Sequence, residues 1–275
     1  MKHLILDGYN LLYRARHSMF HRSGNHSIVY AFFRSLRPLI EKMDPDVISF
    51  VLEGHPKWRY DLLPEYKGQR KRHDKDNFRE QKREIINLIR EYFPINIMRH
   101  PDYECDDVIA NLVWNKGDED ECVIVSSDTD FLQLSALQGV KIYNPIKKSY
   151  FDPVDFDYVA WKSLRGDGSD DIPGFKGIGD KRAMKLVSAP SELEKFLSID
   201  DHRELFEKNM NLIGLREIPD FFSSTEKSYT RSNWDGLRDQ FTNMEFFSIV
   251  NDKSWRKFTD TFDNLECAQL TTIHG

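Results

Sequence analysis

Residues 103–107 read YECDD, placing Glu104, Asp106 and Asp107 within four positions, directly ahead of the apolar run VIANLVW. Two chemistries suit such crowding. Acids favour the first turn of a helix, where they complement exposed N–H groups and the positive end of the macrodipole. Alternatively, several carboxylates share a bound cation. The rest of the chain favours the cation. Asp7 closes HLILD, Glu53 closes VISFVLE, and Asp128 and Asp130 follow CVIV. Asp167, Asp170 and Asp171 fill the glycine-rich GDGSDDIPG, which alone would read as a plain turn. These ten carboxylates cannot all pair with Lys or Arg without a basic excess nearby. Those that stay ionised require cations, and all-oxygen ligation favours Mg²⁺ or Mn²⁺ over zinc. The crowding is therefore read as a divalent-metal site, large enough for two ions, the arrangement that suits phosphodiester displacement. No competing chemistry is encoded: there is no G-x-x-x-x-G-K-[ST] loop and no G-x-S-x-G elbow. The nine histidines form no H-E-x-x-H pattern and are read as surface or core residues.

The elements that must position these acids follow an α/β pattern. HLILD, DVISFVLEG, ECVIVSSDTDF and GVKIYNP read as strands, and LLYRA as the start of a helix. NFREQKREIINLIREYF sets Phe78, Ile85, Ile86, Leu88, Ile89 and Phe93 near helical spacing, and Pro94 stops that helix. Strands alternating with helices predict a mostly parallel sheet flanked by helices. Ligands of such sheets gather at the carboxyl ends of the strands. Three separate strands deliver an acid to that edge.

The 275 residues, 40% hydrophobic and 13% aromatic, suit one large domain or two small ones. No apolar stretch approaches the length needed to span a bilayer, and MKHLILDGYN is too short for a secretory signal. Three cysteines without a C-x-x-C pair are read as reduced thiols of a cytosolic protein. The net charge of −6 conceals a basic run from Lys67 to Arg83, with eight bases against three acids. GFKGIGDKRAMKL reads as a phosphate-binding device. Gly177 and Gly179 let backbone N–H groups approach a phosphate at the start of a helix, and Lys176, Lys181, Arg182 and Lys185 surround it with positive charge. The region beyond residue 200 carries fewer signals: residues 223–236 read as a polar surface loop, and LRDQFTNMEFFSIV as an amphipathic segment packing back on the body.

In order along the chain, LILDGYNLLYRA, LLPEYKGQRKR, YECDDVIA, SSDTDFLQL and GDGSDDIPGFKGIGDKRA resemble the 5′-nuclease (flap endonuclease) superfamily. The kinship is with the 5′→3′ exonuclease domain of bacterial DNA polymerase I and with free-standing bacteriophage 5′ nucleases, over roughly residues 1 to 200. The resemblance implies a PIN-like twisted, mostly parallel sheet flanked by helices, with a helical arch and a helix–three-turn–helix subdomain. The expected division is a catalytic core over 1–160, with the arch at about 64–95, and a DNA-binding region with C-terminal helices over 161–275. Asp7, Glu104, Asp106, Asp128 and Asp130 match the family's metal-binding carboxylates. Asp107, Asp167 and Asp170 match acids that hold or tune a second metal. Lys67 matches a lysine that reaches the scissile phosphate, Arg70 a nearby basic partner, and Tyr66 an aromatic that stacks near the reacting nucleotide. Lys71 and Arg72 extend the basic arch. Two departures stand out: Glu53 occupies a place where the family has aspartate, and Asp171 turns the usual SDN into SDD.

The resemblance implies a structure-specific, metal-dependent 5′ nuclease that uses two Mg²⁺ or Mn²⁺ ions on DNA with a 5′ end, nick or 5′ flap, in replication or repair. It adds a potassium ion held by backbone carbonyls at the helix–three-turn–helix. Removal of RNA primers from an RNA–DNA hybrid fits the same geometry, as an RNase H-like alternative. A junction binder without catalysis is the reading from another class, disfavoured because the matched acids are present. A monomer is expected, meeting a polymerase or a single-strand-binding protein. No polymerase segment follows, which fits a free-standing enzyme encoded by a phage or plasmid and working in the host cytoplasm.

Overall fold

The computed structural model of the chain describes residues 1–18, 25–69, 77–199, 201–263 and 265. Seven strands form one sheet: β1 (Lys2–Asp7), β2 (Val47–Leu52), β3 (Asn96–Arg99), β4 (Glu121–Val125), β5 (Val140–Asn144), β6 (Ser149–Tyr150) and β7 (Glu226–Ser228). Their order across the sheet is β6-β5-β4-β1-β2-β3-β7. The five central strands run parallel, and β6 and β7 close the edges antiparallel. The four strands read from sequence are all present. Two of the unread strands, β3 and β6, are short. The third, β7, lies inside 223–236, so that segment is not simply a surface loop: Glu226 to Ser228 pair with Ile97 to Arg99. A three-residue polar strand carries no alternation to read.

Among the described residues, thirteen α-helices accompany the sheet. Before and beside its first strands lie α1 (Gly8–Ser18), α2 (Ser27–Met43), α3 (Lys57–Leu62), α4 (Phe78–Tyr92) and α5 (Cys105–Trp114). A second group comprises α6 (Tyr158–Arg165), α7 (Asp180–Val187), α8 (Pro190–Leu197) and α9 (His202–Ile213). The chain ends in α10 (Phe221–Ser224), α11 (Trp234–Asn243), α12 (Phe247–Val250) and α13 (Asp252–Asp260). No described helix is long and apolar enough to cross a membrane.

The two-residue side-chain alternation of the strands splits the core into two layers. Leu4, Leu6, Ile48, Phe50, Leu52, Val123 and Val125 face one side, against α1, α2, α4, α11 and α13. Ile5, Val51, Met98, Cys122 and Ile124 face the other, against Val108, Ile109 and Leu112 of α5. Burial on both faces explains the continuous apolar runs of β1, β2 and β4. In α4, Phe78, Gln81, Ile85, Leu88 and Ile89 are buried at helical spacing, as the sequence predicts. The C-terminal segment packs back on the body: Phe93 stacks on Phe33 at 5.2 Å and meets Phe262 edge-on at 5.1 Å, and Phe241 reaches Phe33 at 5.1 Å. The α6–α9 group has its own apolar cluster, with Leu164, Phe175, Ile178, Ala183 and Phe206 at its centre.

At the amino end of β1, away from the acid-bearing edge, His3 is buried and shares a 2.9 Å hydrogen bond with Ser49. Burial lowers its pKa to about 4, so the folded protein keeps the ring neutral. The unfolded chain binds a proton near pH 6.5, so His3 withdraws stability as pH falls from about 6.5 to 4, by roughly 3 kcal/mol in all. Urea midpoints at pH 7 and pH 4.5 should therefore lie closer together in His3→Gln than in the parent. An equal spacing in both proteins would refute the assignment.

Candidate metal centre and nucleic-acid interface

Because β4, β1 and β2 are neighbours and parallel, their carboxyl ends bring Asp128, Asp7 and Glu53 to one place. The amino end of α5 adds Glu104 and Asp106, and the loop after α6 adds Asp167 and Asp170. Together these residues and Asp130 line a cleft of about 1070 Å³. Glu53 is followed by Gly54, where a side chain would collide with the carbonyls of His100 and Tyr103 at 1.9 and 2.2 Å. Only glycine lets the chain after β2 pass that close to the approach to α5.

The acids divide into two sets. The first is paired with buried cations that the sequence reading missed or placed elsewhere. Arg59 of α3 donates to Glu104 at 2.6 Å and grips Asp107 in a two-pronged contact at 2.7 and 2.9 Å. Lys162 of α6 bridges Asp130 and Asp167. Lys67 pairs with Glu104 and lies 3.7 Å from Asp170. Burial alone would raise Glu104 and Asp167; the neighbouring cations outweigh it and hold both below the usual carboxylate range. Burial likewise opposes the charge on Lys67 and Lys162, but the acids around them win and raise both.

The second set makes no ion pair among the described residues. Among the described residues Asp7 accepts from neutral donors, the N–H of Asn10 at 3.0 Å, the hydroxyl of Ser126 at 2.7 Å and the thiol of Cys105 at 3.8 Å. Burial, reinforced by Asp128, raises its pKa to about 6. Burial and Glu104 raise Glu53 to about 7. Burial, then Asp128, Asp7 and Glu53, push Asp106 well above the carboxylate range. Asp130 is also raised, to about 6, because burial exceeds what Lys162 returns. Among the described residues no three of these side chains converge as they stand on a point that could ligate one ion. The donor set nevertheless fits a hard divalent cation, since every candidate ligand is an oxygen and the unpaired acids repel one another across a few ångströms.

Several expectations are corrected. Asp107 is fully buried, is held by Arg59 and the N–H of Arg216, and does not line the cleft, so it stands behind the site as a partner of Arg59. Glu104 and Asp107 also form a capping box, each side chain accepting the other's N–H. Helix chemistry thus engages two of the three acids in YECDD, and of the three Glu104 and Asp106 line the cleft. Tyr66, expected to stack on a nucleotide, is 3% exposed, and its hydroxyl donates to Glu104 at 2.9 Å and Asp170 at 3.2 Å. Its ring packs edge-on to Tyr60, which does line the cleft. The supposition that the acids lack basic partners fails for this half of them. Arg70, Lys71 and Arg72, and with them most of the arch tip, lie outside the described residues.

The sequence reading also overlooked α1. Tyr9, Asn10, Tyr13, Arg14 and His17 line the cleft, and the spacing 7, 10, 14, 17 would have shown it, because these positions share a helix face with Asp7. Asn10 ties two acid-bearing segments together: its amide donates to the Ser127 hydroxyl at 2.8 Å and its carbonyl accepts the Ser127 N–H at 3.2 Å. Lys162 and Arg59 had no comparable signal, since a single base in an amphipathic helix ordinarily reads as surface. On the α6–α9 group, Gly177 adopts a left-handed φ of 77° and Gly179 stands open, with nothing within 4 Å of an added Cβ. Lys176, Lys181, Arg182 and Lys185 are exposed around this turn at the start of α7.

A family model described as "5′-3′ exonuclease, N-terminal resolvase-like domain" matches residues 2–160. A 5′-3′ exonuclease of Mycoplasmopsis pulmonis is 31% identical over 223 residues, covering 75% of this chain and 73% of the relative. DNA polymerase I of Treponema pallidum is 33% identical over 206 residues, 66% of this chain; the match spans only 20% of that polymerase. In fold, the chain resembles the bacteriophage T5 flap endonuclease solved with DNA and metal ions. The TM-score is 0.64 at 18% identity, over 96% of this chain and 99% of that one.

The split between paired and unpaired acids can be tested directly. Arg59→Met leaves Glu104 and Asp107 short of a buried partner and should lower folding stability by about 3–5 kcal/mol in urea denaturation. Asp107→Asn should bind as many Mn²⁺ ions as the parent in calorimetric titration, whereas a lost ion would restore Asp107 as a ligand.

Proposed function

The chain belongs to the 5′-3′ exonuclease family and is a 5′ nuclease, and from that membership we propose that it hydrolyses phosphodiester bonds at 5′ ends and 5′ flaps of DNA with divalent metal ions. One observation carries the reading: Asp7, Glu53, Asp106 and Asp128 meet at adjacent strand ends and a helix start, and none of them makes an ion pair among the described residues. Mg²⁺ or Mn²⁺ bound there would supply Lewis-acid activation of the attacking water and neutralise charge at the phosphorus. The similar bacteriophage T5 flap endonuclease, solved in complex with DNA and metal ions, supports this choice of substrate and cofactor.

The chain's own residues then divide the work. Asn10 and Ser126 hold Asp7 at the cleft floor by hydrogen bonds that leave its charge unneutralised. Lys67, already at the cleft wall, would exchange Glu104 for a phosphoryl oxygen of the substrate. Arg14, Lys148 and Arg165 along the cleft would guide the backbone of the 5′ strand, and Tyr9, Tyr13 and Tyr60 offer rings to an unpaired base. The open Gly177–Gly179 turn with its surrounding cations would take phosphates of the duplex, fixing register without reading bases. Specificity is then for the shape of the DNA end.

Cleavage of a 5′-labelled flap duplex should require Mg²⁺ or Mn²⁺ and stop with EDTA. Asp106→Asn, which removes a group bound to no structural partner, should lower the single-turnover rate by about a hundredfold or more while flap binding in Ca²⁺ persists. Cleavage in EDTA, or a parent-like rate in the variant, would overturn the reading. Lys181→Ala should weaken duplex binding and reduce its salt slope by about one counterion, whatever the sequence of the duplex. An unchanged slope would remove the α7 turn from the interface.

A further inference from the structure

The short turn that carries Lys67 is held from outside, by the dipeptide Asp170–Asp171. The N–H of Lys67 donates to the carbonyl of Asp170 at 3.0 Å. Two residues on, the N–H of Gln69 donates to Oδ2 of Asp171 at 2.9 Å. Within the turn, only the local bonds from Tyr66 N–H to the Leu63 carbonyl, at 2.9 Å, and from Gly68 N–H to the Glu65 carbonyl, at 2.8 Å, help to fix it among the described residues. Behind it, Leu63 and Tyr66 pack on Ile172, Leu212 and Ile213, a cluster separate from both layers of the main core.

Both ends of this contact adopt backbone that side chains disfavour. Lys67 has a φ of 54° and Asp171 a φ of 59°. Aspartate tolerates the left-handed region; lysine gains nothing there. A lysine stays in that conformation only where its surroundings over-determine it. The carboxylate of Asp171 does not line the cleft. It accepts from a backbone donor two residues beyond the N–H that the Asp170 carbonyl takes. The two acceptors thus bracket the lysine, one bond at its own N–H and one two residues later.

We propose that Asp171 is a positioning residue for Lys67. Its hydrogen bond to the Gln69 N–H pins the 66–69 turn onto the loop bearing Asp167 and Asp170, and so keeps the Lys67 ammonium at the cleft wall. The extra negative charge that SDD introduces is engaged at the root of the arch and adds no ligand to the site. This inference rests on the reading of Lys67 as the group that meets the substrate phosphate.

The test compares the parent with Asp171→Ala, Asp171→Asn and Lys67→Ala in the full chain. Amide hydrogen exchange of the peptide spanning 64–69 is followed by mass spectrometry without DNA or metal, and single-turnover flap cleavage and flap affinity in Ca²⁺ are measured in parallel. In Asp171→Ala, exchange in this peptide should quicken about tenfold and the cleavage rate fall by a similar factor at unchanged affinity, as expected for one lost hydrogen bond. Asp171→Asn should restore both, because its amide oxygen can accept the same N–H and asparagine tolerates the left-handed backbone. Parent-like exchange in Asp171→Ala overturns the proposal. So does faster exchange with an undiminished rate, or an Asp171→Asn as impaired as Asp171→Ala. A parent-like rate in Lys67→Ala would instead overturn the reading of Lys67, and it is told apart because exchange at the turn is measured without substrate.

Discussion

The structure is organised around one electrostatic constraint: among the described residues, more carboxylates are drawn together at the sheet edge than there are cations paired with them. Burying a charge without a partner is expensive, and the usual outcome is a shifted pKa or a bound counter-ion. Here both outcomes are visible in one cleft. Arg59, Lys67 and Lys162, all largely buried, take up Glu104, Asp107, Asp130, Asp167 and Asp170. Asp7, Glu53 and Asp106 remain, with affinities for protons raised by burial and by one another. Among the described residues, the paired set is neutralised by the protein's own cations and the unpaired set is not. Had every acid been matched, the cleft would hold a salt-bridge network and nothing more.

That division depends on topology more than on local sequence. Asp7, Glu53 and Asp128 lie far apart in the chain, and they meet because β4, β1 and β2 are adjacent and parallel. Parallel strands end at the same edge, so an acid placed after each one arrives at a common rim. The α5 helix then points its amino end at the same rim while its apolar face covers the sheet. Its capping box spends Glu104 and Asp107 on the helix's own N–H groups and directs Asp106 into the cleft. One short motif therefore ends a loop, starts a helix and delivers a ligand.

Much of this was legible in the sequence. The four apolar runs gave their strands, because burial on both faces leaves a continuous hydrophobic signal, and the acids that close three of them marked the site. What escaped notice has physical reasons. The short β7 has no periodicity, and its pairing with β3 is decided by the chain's return path. Arg59 and Lys162 look like solvated helix residues until the fold buries them; only their partners, 45 and 32 residues distant, reveal them. Tyr66 shows the converse limit. An aromatic beside a catalytic motif suggests stacking, but a phenol can also serve two carboxylates from within, and spacing cannot separate these roles. Asp171 was read as added charge in the site, although the side chain faces the turn beside it.

The buried cations also join parts of the molecule that share little apolar surface. Lys162 comes from α6 and reaches Asp130 beyond β4. Arg59 ties α5 to the end of α9, donating to the Leu212 carbonyl at 3.1 Å as well as to the two acids. Lys67 spans Glu104 of α5 and Asp170 of the loop after α6. The ionic contacts between the sheet edge and the α6–α9 group thus bear on the affinity of a cleft acid for protons, alongside neutral ones such as the Tyr158 hydroxyl on Thr129 at 3.1 Å. Ion pairs buried in this way contribute little net stability, since desolvation offsets much of the attraction, but removing one partner strands the other. Docking of the α6–α9 group brings Lys162 to Asp130, whereas Glu104 is neutralised by Arg59 of α3 and by Lys67; Asp7, Glu53, Asp106 and Asp128 are left without an ion pair among the described residues. The same group carries the exposed turn at the start of α7 suited to duplex phosphates. The helix group that supplies Lys162 to Asp130 is therefore also the one that carries this turn.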